Sequence, residues 1–253
     1  MAQSAEPMAD PRSLARLPRV PAVDIARTAA LIGMAIYHFC YDLELFGYLM
    51  PGSAVSPPLR GLAIGVAASF LALAGVSLVL AHGGGIRWRG FLRRLAVLVA
   101  GALGVSLATY VVFPTAFVYF GILHAIALFS VIGLASVRLP ALGLIALSAL
   151  VFWGPEVLRS EAFAHPVWHW TGLAPVPRPA VDFIPLFPWL SALLMGMALG
   201  RAGSSTGLWA RLGSDAPGRL TRTLAWPGQH SLAIYLIHQP VFFALIWAFT
   251  QIA

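Results

Sequence analysis

Residues 23–42 read VDIARTAALIGMAIYHFCYD, an apolar run interrupted by Asp24, Arg27, His38 and Asp42. Its length suits a helix crossing a bilayer, which takes about 20 mostly apolar residues. An ionisable side chain inside a bilayer costs at least a few kcal/mol unless it faces a cavity or a partner, so the phase of these four matters. At about 100° per residue, the step from Arg27 to His38 comes round to within about 20°, and Asp24 and Asp42 fall within about 60° of Arg27. One narrow stripe of the helix is therefore polar from end to end. With a rise of about 1.5 Å per residue, His38 lies roughly 16 Å beyond Arg27 along it.

The rest of the chain says that the surrounding solvent is lipid. Of 253 residues, 59% are apolar and 10% charged, and a mean hydropathy of +0.84 is far above that of a soluble globular chain. The net charge of +7 comes from sixteen arginines without a single lysine. They gather in short segments between apolar runs, the pattern of membrane topology and not of a nucleic-acid-binding surface. One cysteine, Cys40, lies inside an apolar run, so the chain builds neither a disulfide framework nor a thiol metal cluster.

Applied along the chain, the same length rule gives seven spans, near 22–44, 59–81, 95–113, 117–136, 139–153, 183–200 and 228–250. The fifth is the shortest. The expectation is an all-α, polytopic integral membrane helix bundle of about seven transmembrane helices, one domain over 19–253, after a disordered cytoplasmic tail at 1–18. The run after Arg12, Arg16 and Arg19 superficially resembles a signal peptide, but it carries His38, ends in bulky residues and has no small-residue cleavage site, so it reads as a retained first helix. If seven helices alternate, thirteen arginines fall on one side and Arg60, Arg159 and Arg178 on the other. The basic side is the cytoplasmic one. This puts the N-terminus in and the C-terminus out, with the Pro- and Trp-rich segment 154–182 outside, able to cap a site.

On that map the fourth helix brings His124 to a depth similar to that of His38. Asp42, one turn beyond His38, is spaced to accept a hydrogen bond from its ring and fix the tautomer. Asp24 is the natural salt-bridge partner of Arg27, which otherwise reads as an interfacial anchor. Tyr235, His238 and Gln239 place three polar groups in the last helix, lining a cavity or bonding helix to helix. His165 and His169 have helical metal-ligand spacing, but Pro166 intervenes and no third ligand is in sight, so they read as loop histidines and no metal is expected. His230 and His82 read as surface residues. Glycines 61, 65, 101 and 104 read as helix contacts, since no strand precedes them to make a phosphate loop.

Aspartate, arginine three residues on, and histidine after ten more in the first membrane helix resemble the transmembrane acyltransferase superfamily. FGILHAIA at 120–127, VDFIPLFPW at 181–189 and GQHSL at 228–232, followed by YLIHQP at 235–240, resemble in order the segments of bacterial proteins with the heparan-alpha-glucosaminide N-acetyltransferase catalytic domain. The likeness runs from about Arg19 onward. It implies transfer of an acyl group, usually acetyl, from cytoplasmic acyl-CoA to a sugar amine or hydroxyl on the far side, with the bilayer, acetyl-CoA and a glycan or glycolipid acceptor as partners and a homodimer as a further candidate. It implies His38 as the essential histidine and Arg27 as a contact for the CoA phosphates. The expected site is thus His38, Asp42 and His124 for catalysis, Arg27 and Asp24 for the donor, and Asp182, Tyr235, His238 and Gln239 lining the cavity. Thr28 departs from the glycine that often follows the arginine. The rival from another class is a proton-coupled transporter using the same stripe as a relay; the chain shows no repeated halves to favour it.

Overall fold

A computed structural model describes residues 19–213 and 216–252; the tail expected at 1–18 lies outside them. Among the described residues the chain forms helices α1 (Pro21–Leu45), α2 (Pro57–His82), α3 (Trp88–Val112), α4 (Ile122–Ala135), α5 (Ala141–Leu158), α6 (Leu186–Ser205), α7 (Leu208–Leu212), α8 (Arg219–Gln229) and α9 (Ser231–Thr250). Six of these (α1, α2, α3, α5, α6 and α9) are long and apolar enough to span a membrane, and α4 is a shorter apolar helix. The protein is a polytopic helix bundle, and its apolar outer faces suit lipid: Leu103, Leu107 and Val111 on α3, and Ile237, Leu245 and Phe249 on α9, are exposed.

Most boundaries follow the hydropathy, and the exceptions have local causes. α3 begins at Trp88, not at 95, so Arg89, Arg93 and Arg94 sit in its first turns; arginine stems are long enough to reach water from there. α4 loses the segment 117–121, which with Ala116 pairs with the segment before α6: the Val181 N–H donates to the Ala116 carbonyl (2.8 Å) and the Ile184 N–H to that of Phe120 (3.0 Å). α5 continues through Pro155 to Leu158, longer than the sequence run suggested. The amphipathic helix α8 precedes α9 and packs on α1.

α2 and α6 form the centre of the bundle, with Leu71, Leu78, Leu193, Leu194 and Met197 fully buried between them and α4. Their backbones approach closely because glycine stands at the crossing: a Cβ on Gly75 would meet the Leu193 carbonyl, and one on Gly196 the Ala72 backbone. The glycines expected at helix contacts differ. Gly61, Gly65 and Gly104 have open space where a Cβ would go, and only Gly101 meets a neighbour, Leu123. A glycine count cannot tell which face of a helix is turned inward.

The arginine-rich segments converge on one end. Arg201 of α6 donates to the Val137 carbonyl in the α4–α5 connection. Thr28 of α1 donates to the Leu224 carbonyl of α8 (2.7 Å) and accepts from the Gly228 N–H (2.9 Å). Thr28 thus ties the opening helix to α8, which gives the departure from glycine a structural use.

Candidate active site

α1 packs on both α2 and α9, and these contacts fix two polar layers. In the arginine layer, Arg27 donates to Asp24 Oδ1 (2.6 Å) and to the Ser77 hydroxyl on α2. Asp24 also accepts from Arg19 Nε (3.0 Å), and among the described residues these are the two ion pairs. Asp24 orients Arg27, as expected. Arg27 then joins Arg93, Arg94, Gly90 and Ser231 around a cavity of about 400 Å³. Arg93 and Arg94 have no carboxylate partner among the described residues, so the cavity presents unneutralised guanidinium groups, suited to phosphate. Sequence reasoning missed these two because it began α3 after them.

The His38 layer is a cavity of about 350 Å³ that brings together His38, Asp42, Asp182, Tyr235, His238 and Gln239, with an apolar wall that includes Val105, Val118 and Phe243. Its partnerships differ from those expected. Asp42 is fully buried, but its Oδ1 accepts from Gln239 Nε2 of α9 (2.6 Å), not from the His38 ring. Side chains one turn apart on one helix project side by side, whereas α9 faces α1 across the crossing and can meet it head on. His38 instead faces His238, ring centroids 4.9 Å apart. Three buried atoms around them have no partner among the described residues: Asp42 Oδ2, Gln239 Oε1 and His238 Nε2. Buried groups left in this state mark a place where a ligand can bond.

His124 does not share this cavity. It lies on another, of about 620 Å³, beside Tyr119, Phe120 and Trp170. The Gly121 N–H donates to its Nδ1 (3.3 Å), so Nε2 carries the proton and meets Ser106 Oγ (3.2 Å), whose own proton goes to the Val118 carbonyl (2.6 Å). Both ring nitrogens are thus engaged, Nδ1 in capping α4 and Nε2 in tying it to α3. Depth along the bilayer normal, from which His124 was paired with His38, says nothing of azimuth.

Asp182 reaches the cavity through the pairing of 116–121 with 181–185. Its Oδ2 accepts the Ile122 N–H (2.9 Å) at the start of α4, where the helix dipole favours a carboxylate, and a Cβ on Gly121 would strike it. Burial pushes the Asp182 carboxyl up to about 6, the Ile122 bond pulling the other way. The native state therefore keeps a proton that an unfolded chain gives up near pH 4. The stability this group contributes is complete below about pH 4 and is lost as pH rises through about 6, at no more than about 1.4 kcal/mol per pH unit. Melting of the detergent-solubilised protein should show that decline between pH 4 and 7, and Asp182→Asn should flatten it; an unaltered slope would assign the decline elsewhere.

The remaining histidines hold structure. His169 donates through Nε2 to the Ala164 carbonyl (3.0 Å) and accepts the Arg178 N–H at Nδ1 (3.0 Å), stapling the segment between α5 and α6. Trp170 of that segment packs on Phe120. His165 accepts the Val167 N–H (3.3 Å). His230 lies exposed over Trp226. His82, expected at the surface, is buried at the α2–α3 turn, where it accepts the Arg87 N–H (3.2 Å) and packs on Phe91.

The two layers abut. A third cavity, of about 260 Å³, is lined by His38, Asp182 and Trp189 and shares Phe70, Ile122 and Tyr235 with the arginine cavity. Tyr235 also borders the His38–His238 cavity, so one ring stands among all three. No curated protein and no solved structure compared with the chain matches it. The family model described as heparan-alpha-glucosaminide N-acetyltransferase, catalytic, matches residues 19–240. That span runs from the arginine layer through the His38 layer to Gln239, and the chain belongs to this family of membrane acetyltransferases.

Proposed function

We propose that this protein moves an acetyl group from cytoplasmic acetyl-CoA to a hydroxyl or amine of a glycan or glycolipid on the opposite face of the membrane. The observation that carries the reading is the shared wall of Phe70, Ile122 and Tyr235 between the arginine cavity and a cavity lined by His38. Arg27, oriented by Asp24 and Ser77, holds the CoA phosphates with Arg93 and Arg94. The pantetheine arm is long enough to bridge the roughly 16 Å from Arg27 to His38, passing Tyr235. His38 takes the proton from the acceptor as its oxygen or nitrogen attacks the thioester carbonyl. The carbon–sulfur bond then breaks and the proton returns to the CoA sulfur. Asp42, Gln239 and Asp182 offer acceptor oxygens to a polar substrate. The basic end of the bundle faces the cytoplasm under this proposal.

Binding of the donor is testable without knowing the acceptor. Acetyl-CoA at 100 times its Kd should stabilise the purified protein by about 2.7 kcal/mol, seen as a raised melting temperature in detergent. Arg27→Ala and Arg94→Ala should each remove most of that rise. A protein that melts at the same temperature with and without saturating acetyl-CoA would leave the proposal without its donor site.

A further inference from the structure

Of the two histidines on the His38–His238 cavity, His238 is the one whose proton the structure places. Its Nδ1 lies 2.6 Å from the carbonyl oxygen of Tyr235, one turn earlier on α9. A carbonyl oxygen can only accept, so Nδ1 carries the hydrogen and, in the neutral ring, Nε2 carries a lone pair. That Nε2 is buried and has no partner among the described residues. The ring is held on its other sides by Tyr235 (5.7 Å between centroids) and Phe242 (5.9 Å). What it faces across the helix crossing is His38, edge on, at 4.9 Å between centroids and 65° between planes. The two rings are in contact but not hydrogen-bonded in this structure; at that separation a small ring rotation brings an edge N–H within reach, and such bonds are often long before substrate arrives.

We propose that His238 is the positioning residue for His38. Once a small ring rotation closes the remaining gap, as substrate binds, its Nε2 accepts the N–H of the His38 ring, which fixes the His38 tautomer and leaves the other His38 nitrogen with its lone pair toward the acceptor. The orienting group expected on α1, Asp42, is engaged by Gln239; the chain Tyr235 carbonyl, His238, His38 takes its place. During transfer His238 gains and loses no proton. It accepts a hydrogen bond that strengthens when His38 becomes an imidazolium, while the acceptor's proton passes to His38 and then to the leaving sulfur. A neutral imidazole suits this position: a second cation at such short range would oppose the one forming on His38. The inference rests on His38 being the base proposed above.

The test pairs kinetics with a spectroscopic readout that needs no turnover. His238→Phe keeps a planar ring and removes the lone pair; His238→Gln returns an acceptor oxygen. Acetyl transfer by the detergent-solubilised protein should fall about 100-fold or more in kcat for His238→Phe, with KM for acetyl-CoA changed by less than about twofold. His238→Gln should recover at least about tenfold of that loss. In protein labelled with 15N-histidine, the signals being assigned by their loss in His38→Gln and His238→Gln, wild-type His238 should be protonated at Nδ1 and His38 should hold one tautomer, which becomes a mixture in His238→Phe. Wild-type protein with His238 protonated at Nε2, or a His38 ring indifferent to His238→Phe, overturns the pairing. Absence of acetyl transfer by the wild type would overturn the proposed function instead, and the nitrogen spectra would still decide the pairing.

Discussion

His38→Ala should lower acetyl transfer by at least about 1,000-fold while the protein remains folded in detergent. General-base catalysis alone contributes about 10²- to 10⁴-fold, and removing the ring also empties the junction between two cavities that His38 lines. The residual rate measures what positioning of donor and acceptor achieves without a base. Folding should survive because α1 is anchored elsewhere: by Arg27 to Ser77, by Thr28 to Leu224 and Gly228, and by Asp42 to Gln239. His124→Ala is the informative contrast. His124 lies on a separate cavity and caps α4, so its loss should cost stability, about 1 kcal/mol as for other lost caps, and leave kcat nearly unchanged. If His38→Ala retains most of its turnover while His124→Ala loses it, the catalytic assignment moves to the other cavity.

The contrast between these histidines shows what a linear sequence carries in a membrane protein. The stripe Asp24, Arg27, His38 and Asp42 was legible because helical phase is a property of one segment. Arg27 and His38 do lie on cavities, and Asp24 does hold Arg27. Hydropathy located the long apolar helices for the same local reason. Partners across helices were not legible. His38 was assigned to His124 on depth alone, and Asp42 to His38 on spacing alone, whereas α9 supplies the partner of each: His238 and Gln239. The signal for that lay in YLIHQP, where two adjacent polar residues sit in an otherwise apolar helix and need partners on a facing helix. Arg93 and Arg94 were counted as topology charges because a hydropathy window ends where arginine begins, although the helix itself continues.

The crossing of α2 and α6 underlies all of this geometry, and one substitution there should undo it. Gly196→Val places a branched side chain where even a Cβ would overlap the Ala72 backbone, and on the other helix Gly75 leaves no compensating space against Leu193. Backbone atoms cannot swing aside as a side-chain tip can, so α2 and α6 must separate along a shared core in which Leu71, Leu193 and Met197 are fully buried. Overpacking of a core costs about 1–3 kcal/mol where side chains can adjust; with backbone opposing backbone the expected loss is about 4 kcal/mol or more. Purified Gly196→Val should melt far below the wild type or fail to yield monodisperse protein. Gly65→Ala, on the same helix α2 with open space around its Cβ position, should stay within about 0.5 kcal/mol of wild type. The link to function is direct: α2 carries Ser77, which holds Arg27, and α6 carries Trp189, which lines the His38 side of the passage. Widening their crossing displaces both ends of the donor path, so any Gly196→Val protein that does fold should lose its stabilisation by acetyl-CoA. Wild-type stability and donor response in Gly196→Val would mean that the two helices are free to part, and the passage beside Tyr235 would then have no rigid frame.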